Sequence, residues 1–129
     1  MDRSKFQFTN PELEEVEFCV NKEFDKQKFE SIAMSSNTEI KKIAEDNAIV
    51  SLTLEVGKDA INQPFSILVK MSAKFVWDTS LDDEFVDNLL QTNAPAVLLS
   101  YIRPLVANMT SSSRYPVLNL PFVNFSEKK

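Results

Sequence analysis

The chain has 129 residues and a net charge of −5, with 43% hydrophobic and 26% charged residues. This balance is typical of one soluble globular domain, which we assign to residues 1–129. The sequence has no His, a single Gly and a single Cys, which excludes Ser-His-Asp catalysis, His-ligated metal sites, the glycine-rich nucleotide loops and an internal disulfide.

Charge and targeting signals narrow the class of protein further. The longest basic run, Lys41-Lys42, is too short for the positive stripe that nucleic-acid phosphates require. No apolar run approaches the ~20 residues of a membrane-spanning helix, and the stretch from Met1 to Phe8 does not resemble a signal peptide. A free thiol at Cys19 without an export signal predicts a cytoplasmic protein.

The first predicted strand has two parts. Val16, Phe18 and Val20 alternate with polar residues, and the aromatic pair at 6–8 has the same parity. Pro11 lies between the parts and indicates either an edge or a break in the strand.

The next segment supports two interpretations. A second strand falls somewhere between Lys28 and Ile43, where Ile32 and Met34 share a face. A helix over Asp25 to Ala33 competes with it, because its apolar residues also fit helical spacing.

The clearest pattern is a long hairpin. Residues alternate with period two over Phe65 to Trp77 and again over Ala48 to Val56, which predicts two strands that each bury one face. Gly57-Lys58-Asp59 supplies the turn signal between them.

After the hairpin, the spacing of the apolar residues changes from the period of two that is typical of strands to the period of about 3.6 that is typical of helices. Ser80-x-x-Asp83 is typical of a capping box and predicts a short helix up to about residue 90. Asn93-Ala94-Pro95 then starts a second, longer helix over 94–109. Pro104 lies inside this helix, where it removes a backbone hydrogen bond at a cost of ~3 kcal/mol.

The C-terminal stretch from Tyr115 to Phe125 is apolar but contains two prolines, so it cannot form a central strand. We predict an extended tail. Its predicted anchors are Val117, Leu118, Leu120, Phe122 and Phe125. Four strands, then helices, then a tail indicate an α+β domain with a four-stranded antiparallel sheet and both helices on one face.

Few residues offer reactive chemistry. Cys19 has no predicted neighbour that would lower its pKa, so we interpret it as an ordinary thiol. The acidic run 82–84 fits the first turn of a helix better than a metal site, and the serines at 111–113 fit a helix exit better than an anion site. The helix at 94–109 has an apolar stripe wider than one contact face needs, which indicates either a partner or ordinary core.

Two C-terminal motifs resemble the SecB protein-export chaperone family. They read Ala94-Pro95-x-x-Leu98-x-x-Tyr101-x-Arg103 and Tyr115-Pro116-x-Leu118-Asn119-Leu120-Pro121-x-Val123-Asn124-Phe125. Residues of the long strand and the aromatic pair at 6–8 also fall where the family has similar ones, so the resemblance spans roughly Phe6 to Phe125.

The resemblance implies a chaperone without ATP that holds unfolded preproteins in apolar grooves and assembles as a dimer of dimers. We expect no cofactor and no metal. For client contact we predict Trp77, Tyr115, Phe122 and Phe125. For the oligomer interface we predict Leu98, Tyr101, Ile102 and Leu105 in the helix at 94–109.

Three departures from the family pattern qualify these implications. The family continues past the Asn-Phe motif into a second helix, whereas this chain stops at Lys129, so we expect part of the groove wall to be missing. The family docks on the SecA motor through the outer sheet face; Glu15 fits that pattern, but Cys19, Ser66 and Leu68 argue against docking. Pro104 lies in the helix that the family uses for tetramer contacts, so the assembly is expected to differ.

Three functions therefore stay open. The first is a SecB-like holdase for many clients, and the second is a dedicated adaptor on the same fold, for example for an antitoxin. The third is an enzyme, which would need a polar pocket of converging acids or lysines; we predict that the protein is not an enzyme.

Overall fold

The computed structural model describes residues 1–58 and 61–126, so Asp59 of the predicted turn lies outside them. Five strands, one turn of 3-10 helix and one long helix form within these residues. Their bounds are β1 Phe6–Phe8, β2 Glu12–Val20, the 3-10 turn Lys26–Lys28, β3 Met34–Ala44, β4 Asn47–Val56, β5 Phe65–Trp77 and α1 Asp83–Ser111.

The strands form one antiparallel sheet in which β1 and β2 occupy the same position beside β5. Phe8 pairs with Phe75, and the pairing resumes with Glu12 opposite Ser72. The sheet is therefore four strands wide but contains five strands, which corrects the predicted count of four. The cause is Pro11, which lies between the two strands and has no N–H to donate to the ladder.

The predicted hairpin is confirmed almost residue for residue. β4 pairs with β5 in a register that places Leu52 opposite Met71 and Leu54 opposite Val69. The alternating apolar residues of both strands are buried under α1 and form most of the core. Period-two alternation predicts this well because successive side chains of a strand point to opposite faces of the sheet.

The predicted second strand is β3, at the edge of the sheet opposite β1 and β2. The competing helix over Asp25 to Ala33 does not form, apart from the single 3-10 turn. The Asp25 carboxylate accepts a hydrogen bond from the Gln27 N–H at 3.0 Å and caps that turn. Ile32 packs against the core, and the Phe24 ring meets Tyr115 of the tail, so tertiary packing decides the conformation of this segment.

The two predicted helices are one helix of 29 residues, which corrects the prediction of a short and a long helix. Asp82 is the N-cap residue, whereas Ser80 donates its backbone N–H to the Asp78 carboxylate at 2.8 Å. Pro95 is buried inside the helix instead of starting it. Leu90 and Leu98, on either side of Pro95, are also buried, and each such side chain contributes about 1.5–3 kcal/mol, which outweighs the lost hydrogen bond.

The tail is extended and anchored, as predicted. The Leu118 N–H donates to the Thr110 hydroxyl at 2.9 Å, and that hydroxyl donates to the Val106 carbonyl at 2.8 Å. Leu120 is buried in the core. Two of the predicted anchors are not buried. Val117 is 45% exposed, and the Phe122 side chain is 94% exposed, with the Arg103 guanidinium 4.6 Å from its ring centre.

No helix in the described part of the chain has both the length and the apolar content needed to cross a lipid bilayer.

Candidate functional site

An apolar groove lies where the segment between β2 and β3 meets the tail. This segment, residues 21–33, is called the connecting segment below. It passes the ends of β5 and β4 because β2 and β3 lie at opposite edges of the sheet. The groove has a volume of about 510 Å³. From the connecting segment it is lined by Phe24, Lys26, Phe29 and Ile32.

The opposite wall of the groove is the first part of the tail, and its floor is the start of β5. The tail contributes Arg114, Tyr115, Pro116, Val117 and Leu118, and the floor is Pro64 and Phe65. Most of these side chains are apolar, so the groove offers non-directional burial to an apolar segment of another polypeptide.

Aromatic contacts hold the two walls together. The Phe24 ring meets Phe29 and Tyr115 edge-on, with ring centres 5.3 Å and 5.1 Å apart. The Tyr115 hydroxyl donates to the Asn21 carbonyl at 2.7 Å. Tyr115 therefore binds the connecting segment to the tail through both its ring and its hydroxyl.

The connecting segment is also fixed by amide side chains from the loop before β5. Gln63 is buried; its Oε1 accepts from the Ala33 N–H and its Nε2 donates to the Ser31 carbonyl, both at 2.9 Å. The Asn62 side chain bonds both the N–H and the carbonyl of Asp25, at 2.8 and 2.9 Å. These four bonds fix the connecting segment, which is the outer wall of the groove, relative to the floor.

The structure separates the four residues predicted for client contact. Tyr115 lines the apolar groove, whereas Phe125 lines a second groove of about 430 Å³ between the tail and β3. Trp77 is 8% exposed and stacks on Phe6 at 6.2 Å, at the far end of β5. Phe122 lies alone on the surface beside Arg103.

The four residues predicted for self-association also fall into two groups. Leu98 and Ile102 have no exposed surface because they pack on the sheet. Tyr101 is 45% exposed and Leu105 is half-buried. On this helix, only the Tyr101 and Leu105 positions of the predicted set can meet another molecule.

Sequence reasoning missed most of the groove. Phe24, Phe29 and Phe65 belong to two segments that are far apart in the sequence, and no spacing rule joins them. The available signal was that Phe24 and Phe29 are aromatic residues within a stretch of charged ones. Isolated aromatic residues in a polar loop usually need a partner from elsewhere in the fold.

The outer sheet face is mainly polar, with Ile49 and Leu68 among its apolar residues. Glu15 pairs with Lys70 in the register, and Cys19 pairs with Ser66. Cys19 is exposed. This is the face on which the sequence departs from the SecA-docking pattern.

Two side chains with shifted pKa values, Lys42 and Asp78, lie away from the groove. A hydrogen bond to Asp87 raises the pKa of Lys42, and hydrogen bonds from Ser80 lower the pKa of the Asp78 carboxyl. Lys42 pairs with Ala48, at the opposite end of β4 from the groove. Within residues 1–58 and 61–126, no three Cys, Asp or Glu side chains cluster in a way that could hold a metal ion.

Comparisons with known proteins agree on one family. A family model described as preprotein translocase subunit SecB matches residues 13–127. The protein-export protein SecB of Anaplasma phagocytophilum (strain HZ) is 39% identical over 49 residues. That stretch is 38% of this chain and 31% of the relative, so the match spans about a third of the relative's length.

Two solved structures share the fold. The first is the Mycobacterium tuberculosis Rv1957 SecB-like chaperone in complex with a ChAD peptide from the Rv1956 HigA1 antitoxin. It is 14% identical with a TM-score of 0.74, and the match covers 92% of this chain and 91% of that one. The second, a protein of unknown function from Streptococcus agalactiae, is also 14% identical, with a TM-score of 0.53 and coverage of 94% and 100%.

Proposed function

The chain belongs to the SecB family, and from that premise we propose that it is an ATP-independent holdase that binds unfolded or partly folded polypeptides in the cytoplasm. The observation that carries the proposal is the apolar groove between the connecting segment and the tail. Its occupant would be an extended apolar segment of a client, whose side chains fill the space beside Phe29 and Val117. No catalytic step is needed for such binding.

Truncating a groove side chain is expected to weaken client binding. Phe29→Ala removes a half-buried aromatic side chain from the groove wall, and an aromatic side chain at the centre of an interface contributes about 2 kcal/mol, or roughly thirtyfold in Kd. The measurement is the Kd for a reduced, unfolded protein, followed by fluorescence, with the unfolding midpoint of each variant as a check on folding.

Phe122→Ala is the matched control for this experiment. It truncates the same type of side chain at a surface position outside the groove, so we expect an unchanged Kd. If Phe122→Ala weakens binding and Phe29→Ala does not, clients bind beside Phe122, and the groove assignment is wrong. A wild-type chain with no affinity for any unfolded protein would remove the holdase proposal itself.

A dedicated adaptor is the second candidate function. It is favoured by the similarity to the SecB-like chaperone that was solved with an antitoxin peptide. Suppression of aggregation separates the two functions: a holdase protects several unrelated proteins, whereas an adaptor protects one and leaves the others to aggregate.

We also propose that the chain self-associates through the free edge formed by β1 and β2. Phe8, Leu13 and Val16 face the helix side but stay partly exposed, and Tyr101 of α1 meets Phe8 edge-on at 6.3 Å. An edge strand also leaves backbone donors and acceptors unpaired. A second copy related by a two-fold axis would place the same apolar strip and strand edge on both sides of the contact.

Val16→Asp is expected to dissociate this assembly, because a two-fold contact would bury the new charge twice. The mass in solution, measured by light scattering, should fall from dimer or tetramer to monomer. Ile49→Asp is the control, since Ile49 has similar exposure on the outer sheet face. A monomeric wild-type chain, or equal effects of the two variants, would contradict the proposed interface.

A further inference from the structure

The charges on the apolar groove are all of one sign. Among the side chains that line it, the ionised ones are Lys26, on the connecting segment, and Arg114, on the tail. They stand on opposite walls, and both are exposed. An apolar segment that enters the groove therefore passes between two cations.

Neither cation has an ionic partner in the described part of the chain, where the one ion pair joins Lys42 to Asp87 at 2.7 Å. The acidic residue next to Lys26 is Asp25, and its carboxylate accepts the Gln27 N–H and caps the 3-10 turn. Glu23 and Glu30 are exposed and do not line the groove. The two positive charges are thus available to a carboxylate from outside.

We propose that the groove selects apolar segments that carry acidic residues at their flanks. The inference rests on the proposed function and adds a client class to it. The apolar walls bury the core of the segment, and Lys26 and Arg114 each pair with a flanking carboxylate at the rim. The guanidinium of Arg114 can bind a carboxylate through two parallel hydrogen bonds.

The proposed preference for acidic flanks is opposite to what the net charge of the molecule would favour. At a net charge of −5, the protein as a whole repels an acidic peptide, so a preference for acidic flanks must arise from charges close to the groove. Surface charges separated by more than a Debye length of about 10 Å are largely screened at ordinary salt. Lys26 and Arg114 line the groove whereas the neighbouring Glu23, Asp25 and Glu30 do not, so the charges nearest to a bound flank are positive.

The test uses three labelled peptides that share one apolar core and carry glutamates, serines or lysines on both flanks. Fluorescence anisotropy gives each Kd at low and at high salt. We expect the glutamate-flanked peptide to bind between about twofold and thirtyfold more tightly than the serine-flanked one, the range for two exposed ion pairs. The lysine-flanked peptide should bind most weakly, and high salt should reduce the differences.

The variant that tests the assignment is Lys26→Glu with Arg114→Glu, which should reverse the order of the three affinities. Its matched control is Lys41→Glu with Lys74→Glu, on the outer sheet face, which makes the same change in net charge and should leave the order intact. Lys26→Gln with Arg114→Gln removes the charges without adding new ones, and it replaces the reversal variant if that variant fails to fold.

The outcomes separate this inference from the proposed function. Equal binding of the three peptides, or a preference that survives removal of both groove cations, overturns the selection for acidic flanks and leaves the holdase intact. Loss of the preference in the outer-face variant would also overturn it. If none of the peptides binds to the folded wild-type chain, the groove is not a client site and both proposals fail.

Discussion

Replacing Gly57 by alanine is expected to lower the free energy of unfolding by about 3 kcal/mol or more, because two separate penalties combine. Gly57 has a φ of +68°, a left-handed conformation that side chains disfavour. A Cβ at this position would also lie 2.1 Å from the carbonyl oxygen of Phe65, and backbone cannot move aside cheaply. Gly57 also donates its N–H to the Ala33 carbonyl at 2.7 Å, so a shift of Gly57 would disturb the connecting segment as well.

Chemical denaturation and the thermal midpoint measure this effect, with a fall of about 10 °C or more expected in the midpoint. Gly57→Asn separates the two penalties, because Asn tolerates a left-handed backbone but still carries a Cβ. It should recover only the smaller, conformational part of the loss. Lys58→Ala, at the exposed neighbouring position, is the control; Gly57→Ala with a stability equal to that of this control would disprove the argument.

The core could be predicted from the sequence because the pattern that identifies buried strand residues depends only on neighbouring positions in the chain. Along β5, residues two apart share a face, so the alternation from Phe65 to Trp77 identifies the buried side without knowledge of the rest of the fold. The division of the first strand is equally local, since Pro11 alone signals it. Both features follow from the geometry of one strand.

The helix was mispredicted because local signals competed with packing. Pro95 is favourable at the start of a helix and costly inside one, so the sequence favours a new helix at Asn93. In the structure, Pro95 and Ala94 pack into the core together with Leu98. The burial gained by one continuous helix exceeds the cost of the proline, and that gain depends on a sheet formed by distant residues.

The groove escaped prediction for a related reason. Tyr115 could be chosen from the sequence because it lies in a recognisable motif, but its partners Phe24 and Asn21 come from the other end of the chain. The motif also pointed to Phe122, which follows the same apolar pattern and yet lies exposed. Apolar spacing in an extended tail does not determine which side chains face inward.

Gln63→Leu is expected to lower the free energy of unfolding by about 1–3 kcal/mol and to loosen the outer wall of the groove. The substitution leaves the partly buried N–H of Ala33 and the carbonyl of Ser31 without their partners. Hydrogen exchange should report the loosening directly: the amides of residues 21–33 should exchange about tenfold faster or more, whereas those of β4 keep the protection of the global fold.

Client affinity should fall with the same substitution, although Gln63 does not line the groove. A wall that is already ordered costs little entropy when a client binds, whereas a loosened wall must be ordered at that moment. Gln91→Leu, the same change at an exposed position of α1, is the control and should alter neither affinity nor exchange. If Gln63→Leu lowers stability but leaves both the exchange of residues 21–33 and the client Kd at wild-type values, Gln63 only supports the core and does not set the groove.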